Sequence, residues 1–89
     1  MNREDIHRKV ALALAESLHV DREKIRPQAN LQTDLGAESV DLLEIIFRLE
    51  QEFGIRIRDE EFCFHSLITV ETITNFVGNK LRRMGAQEV

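Results

Sequence analysis

The sequence predicts an all-α fold, a four-helix bundle of three longer helices and one short helix with a long first loop. Three stretches place apolar residues at the i, i+3, i+4 spacing of a helix face: Arg3 to Leu18, Ser39 to about Phe53, and Thr69 to Met84. One alternating stretch, Ile55-Arg56-Ile57-Arg58, is too short to build a sheet and reads as an extended connector. The 89 residues make a single domain, 1–89, with its core over about residues 3–84. A chain of this size buries only about 60 to 65 per cent of its unfolded surface, which allows one modest core and no multi-lobed cleft.

In the first helix Ile6, Val10, Ala13, Leu14 and Leu18 share a face, while Ala11, Leu12 and Ala15 add helix propensity and Glu4 and Asp5 complement the dipole. Residues 19–38 have no long period. Val20, Ile25, Leu31 and Leu35 can anchor such a loop onto the helices, Pro27 and Asn30 suit turns, and Asp21 to Ile25 can form one helical turn. The second helix runs from Ser39 to Phe53, stops at Gly54, and turns Leu42, Ile45, Ile46, Leu49 and Phe53 inward. Val40 and Phe47, seven apart, fall well off that face.

Asp59, Glu60 and Glu61 supply a cap and early negative charge for a short third helix over about Glu60 to Phe64. The last helix opens at Thr69, with Ile68 stapling onto Ile73 and a buried stripe of Val70, Ile73, Val77, Leu81 and Met84. Gly78 costs that helix roughly 1 kcal/mol against alanine and suggests close packing there. Lys80, Arg82 and Arg83 read as a solvated cluster at the negative end of the helix dipole, and Ala86 to Val89 should fray.

Sixteen acidic against 12 basic side chains give a net charge of −4. That balance argues against nucleic acid, whose binding rests on phosphate neutralisation, and points to partners with basic patches. The lone cysteine, Cys63, can form no internal disulfide and, between Phe62 and Phe64, reads as a buried reduced thiol. There is no charged-then-apolar leader and no apolar run near ~18 residues, so neither secretion nor a membrane span is supported. A cytoplasmic monomer is expected. His7 reads as a surface residue and His19 as a helix end, and no metal-ligand spacing is present.

The chemistry of the chain centres on Ser39, which follows the tight turn Asp34-Leu35-Gly36-Ala37 and stands at the first position or cap of the second helix. Helix N-termini carry unpaired N–H groups and a partial positive charge, so an anionic group attached to this hydroxyl sits where anions are favoured. A phosphate ester suits the site.

At these residues the chain resembles the acyl carrier proteins and the related peptidyl carrier domains. Their hallmark is D-L-G-x-D-S-[LVI], an acidic and apolar helix, then F-x-I-x-I-x-D-E-[EDL]; here one reads DLGAESV, DLLEIIFRLEQEF and GIRIRDEEF. The likeness extends, more weakly, from about Asp5 to Leu81. It implies the four-helix carrier-protein bundle, with Ser39 bearing a 4′-phosphopantetheine arm taken from coenzyme A by a phosphopantetheinyl transferase. The arm's thiol would hold acyl intermediates as thioesters for acyl-transferring and acyl-modifying enzymes of fatty-acid, lipid or specialised metabolite biosynthesis. The resemblance further implies docking of basic partners along the second helix, with Glu38, Val40, Asp41, Glu44 and Phe47 as contacts, and an acyl chain sheltered near Leu49, Ile57 and Phe62. No residue is assigned a catalytic role, since the implied protein is a carrier and not an enzyme. Glu38 stands where aspartate usually precedes the serine, Arg58 replaces a common proline, and the segment from Glu61 to Ile68 looks about two residues longer than in the fatty-acid carriers.

Three other classes compete with this reading. A peptidyl or aminoacyl carrier shares the motif and differs in cargo. An unmodified helical protein-interaction module shares the shape and differs only in the intact mass of the protein. A serine hydrolase needs a base within hydrogen-bonding reach of Ser39, yet AESVD is not the G-x-S-x-G elbow and the three histidines lie outside the motif helix.

Overall fold

In a computed structural model that describes residues 2–62 and 69–85, the chain forms three α-helices: α1 (Arg3–Leu18), α2 (Ser39–Phe53) and α3 (Val70–Gly85). Single 3-10 turns stand at Arg22–Lys24 and Asp59–Glu61. Among the described residues there is no strand, and an isolated antiparallel bridge joins Asn30 to Thr69.

α1 starts at Asn2, whose Oδ1 accepts the Asp5 N–H at 2.8 Å, and stops at His19, which takes the left-handed conformation (φ 58°) and donates its N–H to the Ala15 carbonyl. It packs against both α2 and α3, so a single apolar stripe does not suffice. Ala11, Ala13, Ala15 and Ser17 are buried along with Ile6, Val10 and Leu14. The alanines are therefore contact surface as well as helix formers, small enough to let two helices come close. Leu18 is half-buried against the core and Leu12 is partly exposed.

Leu14, Leu31, Ile45, Leu49 and Ile73 are fully enclosed and mark the centre of the core. Burying one such side chain stabilises the fold by about 1.5–3 kcal/mol. From α2 the inward residues are Ile45, Ile46, Leu49 and Phe53, with Leu42 half-buried, as the helical period required. From α3 they are Val70, Ile73 and Val77, with Leu81 half-buried. Thr74 joins them, because its hydroxyl donates to the Val70 carbonyl at 3.0 Å and so goes inside without an unpaired polar atom. α3 opens at Thr69, which exchanges bonds with Thr72: Thr72 N–H to Thr69 Oγ1 at 3.2 Å, and Thr69 N–H to Thr72 Oγ1 at 3.1 Å.

Three sequence expectations change. In place of a short third helix over Glu60–Phe64, the described residues contain one 3-10 turn, Asp59–Glu61. The Glu61 N–H donates to the Arg58 carbonyl and the Arg58 N–H to Glu61 Oε1, which closes a tight turn, and Phe62 then drops into the core. Secondly, Lys80 is not simply solvated. Its Nζ donates to Glu61 Oε1 at 2.8 Å and lies 5.7 Å from the Phe76 ring centre, while Phe76 meets Phe62 edge-to-face at 6.2 Å. The Lys80 ammonium, and after it the Arg58 N–H, holds the Glu61 carboxyl below its ordinary value, so this pairing is present above that value and is lost as pH falls through the lowered one. The expectations for Asp59 as a cap, Cys63, Phe64, the Ile68 staple, Met84 and the fraying tail lie outside what the structure describes.

Gly78 is the third change. A Cβ built there meets only Ile6 Cδ1, at 3.7 Å, an ordinary contact, so close packing does not demand glycine. Gly78→Ala is expected to stabilise the protein by roughly 0.5–1 kcal/mol through lower unfolded-state entropy and better helix propensity. The midpoint of urea unfolding checks this; a lower midpoint would mean that Ile6 cannot accommodate the methyl group.

Candidate functional site

The loop before α2 is ordered by its own polar groups. Asn30 Oδ1 accepts the N–H groups of Gln32 and Thr33, both at 2.9 Å, and the Asn30 N–H donates to Asp34 Oδ2 at 2.7 Å. The Asn30 carbonyl accepts from Asp34 and Leu35, and the Ala37 N–H closes onto the Leu31 carbonyl at 2.8 Å. Gly36 sits at φ +73° with open space where a Cβ would be, so backbone conformation alone favours glycine. Leu31, Leu35 and Ala37 are buried, pinning the turn from beneath, as are Ile25 and Ala29 earlier in the loop.

This turn delivers Glu38 in an extended conformation as the residue before α2, and Ser39 as the first helical residue. Ser39 is exposed. The Glu38 N–H donates to Asp41 Oδ2 at 2.7 Å and the Asp41 N–H to the Glu38 carbonyl at 2.9 Å, so the helix start is fastened by its flanking residues and not by the serine. The hydroxyl is left open to solvent over the first turn of the helix, which fits a phosphodiester.

Along the same helix Val40, Leu43 and Phe47 are 73%, 68% and 59% exposed. Phe47 is thus not covered by the preceding loop. Leu43, absent from the residues expected on this surface, completes an i, i+3, i+7 stripe with Val40 and Phe47, and the spacing itself is the sequence signal for it. Of the acidic candidates, Glu38 is exposed, Asp41 is engaged at the helix start, and Glu44 accepts a bond from Arg48 Nε at 3.1 Å. The structure places Glu38, Val40, Asp41, Glu44 and Phe47 along one side and the N-terminal end of α2, all exposed except the half-buried Asp41. Leu49, Ile57 and Phe62, expected around an acyl chain, lie together in the core, with the Ile57 N–H held by Glu50 Oε2 at 2.9 Å. Ile55 and Ile57 are buried and Arg56 and Arg58 exposed, as an extended connector over a core requires. Among the described residues no group of His, Cys, Asp and Glu could hold a metal ion, and no helix is long and apolar enough to cross a membrane.

A family model described as the phosphopantetheine attachment site matches residues 8–77. The chain is also similar to the acyl carrier protein of Thermosynechococcus vestitus, 43% identical over 81 residues that cover 91% of this chain and 98% of the relative. With the acyl carrier protein of Rubrobacter xylanophilus it shares 40% identity over 77 residues, 86% and 93% of the two chains.

The cap position generates a stability test. Aspartate is a better residue than glutamate immediately before a helix, because its shorter side chain reaches the second or third amide. Glu38→Asp is expected to stabilise the fold by roughly 0.5–1 kcal/mol in chemical denaturation. A clear loss would show that the longer Glu38 side chain makes a contact of its own.

Proposed function

The chain belongs to the acyl carrier protein family, and we propose that Ser39 is the residue that bears its 4′-phosphopantetheine arm. The observation that carries this is an exposed hydroxyl at the first position of α2, inside DLGAES, backed by a helix N-terminus. The protein is a carrier and not an enzyme. The arm, once attached, supplies a thiol on which an acyl group travels as a thioester. The chain's own contribution is to hold the serine at the solvent-facing start of a rigid helix, where a transferase and acyl-handling enzymes can reach it. Residues 1–89 act as one carrier domain, monomeric and cytoplasmic, serving fatty-acid, lipid or specialised metabolite biosynthesis.

Docking takes place along α2: Val40, Leu43 and Phe47 provide apolar contact, and Glu38, Asp41 and Glu44 attract a basic partner. Supporting this reading, α2 carries four carboxylates against one guanidinium, and its exposed apolar stripe begins beside Ser39. The acyl chain enters between α2 and the Ile55–Phe62 segment, where Leu49, Ile57 and Phe62 make way for it.

Incubation with coenzyme A and a broad-specificity phosphopantetheinyl transferase is expected to add one phosphopantetheine, abolished in Ser39→Ala. Intact mass spectrometry reads the outcome, and no adduct on wild type, or an undiminished one on Ser39→Ala, removes the assignment.

The docking surface is tested separately. Phe47→Ala should leave stability within about 0.5 kcal/mol, because the ring is mostly exposed, yet slow modification at every salt concentration by about 1–2 kcal/mol, or roughly 5- to 30-fold in kcat/KM. Asp41→Asn with Glu44→Gln keeps hydrogen-bond acceptors while removing charge, and should slow modification most at low ionic strength. Folded variants modified at the wild-type rate in all salts would place the docking surface elsewhere.

A further inference from the structure

Arg48 is the one basic residue of α2, set among Asp41, Glu44, Glu50 and Glu52. Its guanidinium is forked. Nε donates to Glu44 Oε2 at 3.1 Å, one turn earlier on the same helix, and Nη1 donates to Glu16 Oε1 at 2.8 Å across on α1. Both bonds lie in a groove between α1 and α2 that is bordered by Phe47 and floored by Ala13. The groove is therefore continuous with the exposed Val40–Leu43–Phe47 stripe.

A basic side chain arriving beside Phe47 meets carboxylates that already hold a guanidinium of this chain. We propose that Arg48 sets partner specificity by competing, from within the protein, with a docking enzyme's arginine or lysine for Glu44 and Glu16. This deepens the reading of α2 as the docking surface and rests on it.

The alternative is that Arg48 is a strut between two helices. Against that, both carboxylates are about half exposed, where ion pairs stabilise little, and α1 and α2 already share a buried core through Val10, Leu14, Ile45 and Leu49. What Arg48 chiefly alters is the charge shown beside Phe47. A partner with a single weakly placed lysine must displace a forked guanidinium and is disfavoured, whereas one presenting a bidentate arginine can replace it like for like. The device selects by raising the cost of the wrong partner.

Steady-state modification of Ser39 by the transferase tests this. Arg48→Gln should lower KM about 3- to 10-fold at low salt with kcat unchanged, the gain shrinking as salt rises. Arg82→Gln, on the exposed C-terminal part of α3, removes the same charge and should change KM by less than about twofold. Arg48→Lys, which keeps the charge and loses the fork, should fall between wild type and Arg48→Gln. In a Glu16→Gln, Glu44→Gln background the gain from Arg48→Gln should vanish. An unchanged or raised KM in Arg48→Gln, an equal gain from Arg82→Gln, persistence of the gain in the double background, or a markedly lowered melting temperature of Arg48→Gln would each overturn the proposal. An adduct that forms with the same KM in every Arg48 variant overturns this proposal alone, whereas no adduct on wild type overturns the Ser39 assignment and this proposal together.

Discussion

Five hydrogen bonds converge on Asn30, and the positions of two helix starts depend on them. The side-chain oxygen takes two amides, the N–H reaches Asp34, and the carbonyl takes two more amides. On one side this turn runs through Leu31, Leu35 and Ala37 into Ser39. On the other side the residues just before it hold α3, since the Val70 N–H donates to the Ala29 carbonyl at 3.1 Å and the Glu71 N–H to the Pro27 carbonyl at 2.7 Å. Two amides that a helix start normally leaves unpaired are thereby satisfied by the loop. The loop thus fixes where α3 begins and where the serine stands.

That arrangement explains how some 20 residues without a periodic pattern can be ordered. Fixing each residue costs about 1–2 kcal/mol of backbone entropy, and the return comes from two sources that alternate along the loop. Ile25, Ala29, Leu31, Leu35 and Ala37 leave water at intervals, while the polar groups between them bond within the turn or to α3. Neither source alone would offset the ordering, because buried backbone without partners is costly and a hydrogen-bonded turn without apolar anchors exchanges freely with water.

The parts of this structure that were legible in the sequence are those governed by period and by local capping. The three long helices, their inward residues and the Thr69 start follow from spacing and from residues three or four apart. Ser39 at the helix start was legible from the turn and the motif together. Leu43 joins Val40 and Phe47 into one exposed stripe, and its spacing of three and four from them is the only sequence signal of it. The short third helix was overread: acidic residues suited to a helix start do not specify how many turns follow, and Phe62 is needed in the core directly after the first. Lys80 was misjudged for another reason. Its partner, Glu61, is 19 residues away, and no local pattern reports a contact made through the fold. The same holds for Arg48 and Glu16, 32 residues apart, and for the bonds from Pro27 and Ala29 to α3.

On α2 the work of folding and the work of display fall on different side chains, with two exceptions. Ile45, Ile46, Leu49 and Phe53 face the core, whereas Val40, Leu43 and Phe47 face water, so the apolar contact area can change with little effect on the fold. The acidic residues are less separable. Asp41 carries charge and also receives the Glu38 N–H, and Glu44 carries charge and also receives Arg48. Reversing either charge removes a bond at the helix start or one between successive turns of α2 along with the charge itself, at about 1 kcal/mol for a cap, which is as large as a surface electrostatic effect. Neutral amides at the two positions retain acceptor oxygens and remove only the charge. The salt dependence that then disappears belongs to long-range attraction, because the local bonds are kept.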